Sequence, residues 1–428
     1  LAWDALNAGE VAARVAYDRG TARIDDLSFV AVGGIFRASG TVPTDDRDAD
    51  VRASWSNVSL AALARAAAPR STIRPSGLAS GTFVMRGPLA DLARWDATAH
   101  IQVAPGRTAR ADIGVPGATD VRLRGGVWSS TSTHTVGEVL PLVAALSGRL
   151  DSTALARSTL AGTAHVTSVD MVPVARLLER LGVGAVADLV QSGQVEATIG
   201  VGGRLASPTL DVVLVGTGVS ASGLATDRVE VRANTQASSR RIPVEIRSAD
   251  VTYAGQTLSA VDVAGTVTGP VIDVVRARAT DGGGAGEVTA SGHFDTRRSR
   301  FTIATELRGW TVHPTVDLPL GAVVEARFDG TGTIDDPNGA GHVRVTDARW
   351  DGSPIGEATA DVALAARQAR VDARVPTFGL VVDGTIGVSA PYPATLRARA
   401  DDLVIERLPI AWSDADRVTG RVSLAATG

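Results

Sequence analysis

Apolar and polar residues alternate along most of this chain with a period of two. In RIPVEIR (241–247), Ile242, Val244 and Ile246 share one side, while Arg241, Glu245 and Arg247 share the other. In VEATIGV (195–201), Val195, Ile199 and Val201 stand opposite Glu196 and Thr198. FTIATELR, GHVRVT, QARVDARV and ATLRARAD repeat the pattern. This alternation predicts strands with one buried and one wet face, and it favours antiparallel pairing. The wet face is rich in Arg, Asp, Glu and Thr, so cross-strand charge pairs of about 0.2–1 kcal/mol each are expected there.

Helical spacing is rare. SLAALARAA (59–67), VPVARLLERLG (172–182) and VGEVLPLVAALSG (136–148) carry apolar residues at i, i+3 and i+4, and LVIERLP (403–409) does so weakly. Gly182 is the expected C-cap of the second.

One phrase recurs as GRLASP (203–208), GTVTGP (265–270) and GTIDDP (332–337): Gly, an aliphatic residue two on, Pro five on. Looser Gly-x-aliphatic landmarks fall at Gly40, Gly87, Gly148 and Gly384, giving a spacing of about 57 residues. That spacing equals roughly five strands at 8–12 residues each, or about 36–40 strands in all. The phrase is expected to mark a corner, where Gly permits a bend or bulge and Pro ends the ladder. So many strands pairing in order at ~4.8 Å would extend over the order of 170 Å, a rod or trough rather than a globule.

Composition sharpens this picture. Hydrophobic residues make up 44% of 428, but aromatics only 4%, and Met occurs twice. With so few large side chains, a thin structure in which each strand packs on near neighbours suits the chain better than a wide core. Net charge is −4 with acidic and Arg residues spread evenly, which argues against a nucleic-acid surface. Without Cys there are no disulfides, thiol nucleophiles or Cys-ligated metals. No run of 18 apolar residues and no signal peptide is visible. The pattern is already under way at both termini, so the chain is expected to be a segment of a longer protein.

The phrases NVSLAALARAAAP followed by SGLASGTFVMRGPLADL, and SVDMVPVARLLERLG followed by QSGQVEATIGVGGRLASPTLDV, share one plan. Each is a strand end, a short Leu-rich helix, a Gly-led strand, then a Gly-x-Leu turn. In this the chain resembles the AsmA-like superfamily of bacterial envelope proteins, in its TamB type, best over 51–106 and 162–235 and loosely over 301–428. Around HPTVDLPLG (313–321) the helix of the plan is lost. The resemblance implies an all-β fold, a long antiparallel sheet folded along its length into a U-shaped groove. It implies one continuous elongated segment with approximate sub-repeats 1–54, 55–165, 166–307 and 308–428. It also implies a periplasmic protein anchored to the inner membrane by a segment outside this one. Such proteins conduct phospholipid between the membranes or assist outer-membrane protein assembly, with membrane proteins as partners at the two ends.

Signatures of catalysis are missing. There is no Gly-x-Ser-x-Gly, and His100, His134, His165, His293, His313 and His342 lie far apart in sequence. DGGGAGE (281–287) lacks the Gly-Lys-Ser/Thr of a phosphate loop, and GTGVSASG (216–223) lacks the third Gly of a dinucleotide fingerprint. TDDRDAD (44–50) and IDDPNG (334–339) read as acidic turns rather than calcium loops. No enzyme, metal or cofactor is expected.

If the buried parity forms a lipid track, its lining is Phe83, Met85, Val195, Ile199, Val201, Ile242, Val244, Ile246, Val261, Val263, Phe301, Ile303, Val343, Val345 and Leu396. Acyl chains need only continuous apolar surface, at ~0.8 kcal/mol per buried CH₂. The same parity would serve a secreted structural or adhesive β-solenoid with a closed core, and alternation does not separate the two. A transmembrane barrel would need aromatic girdles that three Tyr and seven Trp do not supply.

Overall fold

The computed structural model describes residues 9–67, 74–106, 112–151, 154–180, 190–236, 239–253, 256–312, 320–333, 336–388, 393–404 and 421–427. The chain is all-β and divides into two compact units, Leu1–Gly223 with Glu230–Ser239, and Leu224–Val229 with Arg240–Gly428.

The first unit opens with β1 (Gly9–Asp18), β2 (Thr21–Ala31), β3 (Gly34–Pro43) and β4 (Ala49–Ser59), followed by α1 (Leu60–Ala67) and β5 (Arg74–Ser76). β6 (Leu78–Gly87), β7 (Asp96–Ala104), β8 (Asp112–Gly114), β9 (Gly117–Arg124), β10 (Val127–Val136), β11 (Leu140–Arg149) and β12 (Ala161–Asp170) lead to α2 (Met171–Arg180), β13 (Val190–Arg204) and β14 (Ser207–Ala221). All but β5 and β8 pair antiparallel in chain order, each with its predecessor and successor. β5 and β8 form a short parallel ribbon of their own. β15 (Leu224–Gln236) has residues in both units.

The second unit continues with β16 (Arg241–Tyr253), β17 (Gln256–Thr268), β18 (Val271–Asp281), β19 (Glu287–Asp295), β20 (Arg300–Val312) and β21 (Leu320–Thr333). It ends with β22 (Pro337–Trp350), β23 (Ser353–Ala365), β24 (Gln368–Val375), β25 (Leu380–Gly387), β26 (Ala394–Val404) and β27 (Arg421–Thr427), again paired antiparallel in chain order.

Period-2 alternation therefore becomes long antiparallel strands, but fewer than expected. Among the described residues there are 27, as long as 15 residues, and eight of their connections are two-residue turns that lose little chain to loops. Arg19-Gly20, Val32-Gly33, Gly125-Gly126, Ser222-Gly223, Asp351-Gly352 and Ala366-Arg367 all have both φ values positive, the backbone that matches the twist of paired strands.

The recurring phrase is a hairpin. Gly203 pairs directly with Pro208, and Gly332 with Pro337, across the turn; in the third copy Gly269-Pro270 is the turn itself. Within the first unit Gly40, Gly87, Gly148 and Gly203 lie on strands that run toward the same rim of the sheet, and within the second unit Gly265, Gly332 and Gly384 do likewise. Successive landmarks are separated by two or four strands of the sheet. Five strands per interval, as the spacing suggested, would place them on alternating rims.

Among the described residues the two α-helices lie at the opposite rim of the first unit. α1 caps a local core of Val58, Ala79 and Val103, joined by Phe36, Trp55, Leu60 and Ile101. α2 sets the fully buried Leu177 over Gly137 in the β10–β11 turn. The helix expected over 136–148 is instead a turn and β11. Its spacing misled because Val143 and Ala145, on the outer face of that strand, are as apolar as Leu142 and Leu146 on the inner one. Residues 405–409 and 313–319, the sites of the weak helix and the degenerate repeat, lie outside the described residues, as does Gly182. The sub-repeat limits at 54, 165 and 307 fall inside β4, β12 and β20.

A candidate apolar binding face

Strand register decides which side chains share a face, because directly opposed residues point the same way. In the first unit an unbroken row runs from Leu27 through Ala38, Ala53, Phe83, Ala99, Val121, Ser130, Leu146, Gly162 and Val201 to Leu210. In the second unit a row runs from Val244 through Gly265, Val274, Gly292, Ile303, Gly330, Gly339, Leu364, Ala369 and Ile386 to Ala394. Ile246, Val263, Ala277, Ala290, Thr305, Phe328, Gly341, Val362, Val371, Gly384 and Leu396 run beside it.

The register thus brings Phe83, Met85, Val195, Ile199 and Val201 onto one face of the first unit. Ile242, Val244, Ile246, Val261, Val263, Phe301, Ile303, Val343, Val345 and Leu396 share one face of the second. Bulges interrupt the rows without scattering them: at Val274/Ala277 the additional residue, Val275, is turned out to 68% exposure.

What covers this face is the deciding question. Of the fifteen residues only Met85 is buried, at 3% exposure; Ile303 and Leu396 are 37% exposed and the other twelve half-buried. Among the described residues, eleven of the seventeen buried hydrophobic side chains are Ala, which its own cross-strand neighbours cover. Among the described residues the largest side chains below 2% exposure are Leu177 in α2 and Ser158 in a loop, neither of them on the strand face, while Ala49 on β4 is at 0%. In a closed sandwich the large inward residues would be the buried ones.

The face is also kept low. Trp55 lies over Gly81, Trp128 over Gly148, and Phe328 over Gly330, Gly339 and Gly341, so a Cβ on any of these would meet the ring at 2.5–3.0 Å. Phe29 and Phe36 stack across β2 and β3, with ring centroids 5.0 Å apart. At Gly148, Gly265 and Gly384 the paired strand's carbonyl oxygen, or the next strand's, lies 1.9–2.4 Å from where a Cβ would be. On the opposite face Gly200 meets nothing closer than 3.5 Å. Neighbouring strands therefore crowd each other on the apolar side.

The other face carries the charges. Asp262 sits between Arg247 (3.5 Å) and Arg276 (3.1 Å), and Arg344 meets Glu357 at 3.2 Å. His100, His293 and His342 each reach a cross-strand carboxylate, Asp120, Asp273 and Asp361, at 2.8, 2.6 and 2.8 Å. Open clefts of about 320–420 Å³ lie between these side chains, one lined by Arg37, Arg52, Ser54 and Thr82. His165 meets Thr198, and His313 lies outside the described residues. No three of the described His, Asp and Glu converge as metal ligands.

The acidic turns are tied internally. Asp45 is held below the usual carboxylate range by its hydrogen bond from Arg47, whose guanidinium also reaches Thr21. Asp281, in DGGGAGE, is buried, which opposes its charge. Backbone N–H groups of Gly286, Thr311 and Ala285 outweigh that, and its carboxyl is lowered. GTGVSASG is the end of β14 and its turn, and residues 334–335 of IDDPNG lie outside the described residues.

Sequence reading missed the strands that join these rows. Val121 and Leu123 sit on β9, Trp128 sits on β10, whose alternation is masked by serines and threonines, and Leu142 and Leu146 sit on β11. Family models and curated proteins were both compared with the chain, and neither comparison returned a match.

Proposed function

We propose that the apolar face holds the acyl chains of lipids, and that the chain is a segment of a TamB-type, AsmA-like conduit for phospholipid across the periplasm. The observation that carries this reading is a largely apolar face that runs from β2 to β14 in the first unit and from β16 to β26 in the second, yet is half-exposed along its length. Water against such a face is unfavourable by about 25 cal/mol per Å², and a partner without polar groups relieves that cost without needing specific contacts. The crowding of strands on the apolar side supports a sheet that curls toward it, as a groove for chains requires.

Charge placed on the face tests the reading. Ile199→Asp and Val244→Asp each set a carboxylate where a chain would lie, while Ile199→Ala and Val244→Ala leave the track apolar. Lipid extracted from the purified protein and counted by mass spectrometry falls severalfold in the Asp variants and stays near wild type in the Ala variants. Equal lipid in all four, or none in the wild type, refutes the proposal.

A further inference from the structure

From β3 to β14, wherever register is uninterrupted, the apolar face consists of aliphatic, aromatic, Ala, Gly and Pro residues with four exceptions: Thr119, Ser130, Ser132 and His134. All four are half-buried and sit together on β9 and β10. The Thr119 hydroxyl lies 3.0 Å from Ser132 Oγ and 2.9 Å from His134 Nε2, and His134 Nδ1 lies 3.1 Å from the Val115 carbonyl. With Nδ1–H given to that carbonyl, Nε2 accepts from Thr119; protonated, it donates to Thr119, which donates on to Ser132. The chain of bonds closes in either state.

Polar residues on this face elsewhere behave differently. In the second unit Ser248, also bonded to the Thr226 hydroxyl, is seated on the Arg228 and Asp250 carbonyls, and Thr305 donates to the Phe328 carbonyl, so each is anchored on backbone. The cluster instead bonds mainly to itself, and β10 is polar on both faces, with Ser129, Thr131 and Thr133 on the charged one. Thr–Ser pairing stabilises a sheet on either face, so sheet stability alone gives no reason to interrupt an apolar track here.

We infer that Thr119, Ser130, Ser132 and His134 form a subsite for the oxygen-bearing end of an acyl lipid, a fatty carboxylate or the ester and phosphate oxygens of a glycerolipid. This rests on the proposed lipid track and adds a position at which the cargo is read by its polar end. Ser130, outside that chain of bonds, and the Thr119 and Ser132 hydroxyls turned toward a ligand supply donors for acceptor oxygens, and the flanking Val121 and Leu146 carry the chain away on either side.

Diazirine-tagged hexadecane, palmitate and phosphatidylcholine, photo-crosslinked to the whole chain and mapped by mass spectrometry, test it against the triple variant Thr119→Val, Ser132→Ala, His134→Leu. These substitutions put apolar side chains on an apolar face, and circular dichroism checks that strand content is kept. In the wild type, palmitate or phosphatidylcholine labels the Val121–Leu146 region in preference to hexadecane, and in the variant the preference drops roughly tenfold, the loss of about one hydrogen bond. Palmitate alone identifies a carboxylate, and phosphatidylcholine alone a glycerolipid. Hexadecane labelling as strong as the polar-ended probes, or a variant that keeps the preference, overturns the subsite and leaves the track. Failure of all three probes on the wild type overturns the track with it.

Discussion

At the scale of residues, the two faces make opposite demands on the same amino acid. Gly162 faces the apolar side at φ +155°, and a Cβ there would lie 2.2 Å from the Ala145 carbonyl. Gly162→Val is expected to destabilise the first unit by roughly 2–4 kcal/mol, as strain at a glycine-only position does. Gly200→Thr, on the roomy charged face, is expected to stay within about 0.5 kcal/mol of wild type; thermal denaturation of both measures the contrast. Asp281 gives a pH dependence. Its folded carboxyl is lowered, so its contribution is fully present above the unfolded value of about 3.9 and is lost as pH falls through the folded one. Asp281→Asn leaves one oxygen for two sets of amide donors and should cost about 1–3 kcal/mol at neutral pH. The wild type's advantage should shrink as pH falls below about 4, and denaturant titrations at pH 7 and pH 3 would show it.

At the scale of elements, alternation in the sequence was enough to place all fifteen candidate lining residues on one face of their unit, because strand parity survives each stretch of unbroken register. Its limits were equally physical. Bulges with positive φ at Asn57, Ala260 and Asp347 carry no sequence mark beyond an ordinary residue, and they decide where parity resets. β11 carries helical spacing because Val143 and Ala145 on its outer face are apolar, whereas α1 and α2 are legible from their short Leu-rich spacing. α2 packs beside β13 and buries Leu177 above Gly137. Leu177→Ala removes that contact, and faster hydrogen exchange is expected in the α2 amides and in the turn at 136–139, with the β13–β14 ladder unchanged. The cavity cost is about 2–5 kcal/mol where the site does not collapse.

At the scale of the molecule, fold class was legible and function much less so. Composition pointed to a thin structure rather than a wide core, and among the described residues most of the buried hydrophobic side chains are Ala. Parity could not separate an open face from a closed one, because both place the same residues inward; the half-exposure of Val244, Val263 and their neighbours is what favours the proposed open face. The polar cluster on β9 and β10 was hidden because serines and threonines on both sides of a strand erase the alternation that would have located it.

The central claim is that this face is open and that lipid covers it. The chain has no cysteine, so Val244→Cys and Val263→Cys each give a single thiol on the face. Maleimide modification of the native protein, stripped of lipid and then reloaded with phosphatidylcholine, is the most direct measurement. The account predicts modification of the stripped protein without unfolding, and strong protection once lipid is restored. Thiols that react only after denaturation would mean a closed core, and thiols that react equally with and without lipid would mean that the cargo lies elsewhere.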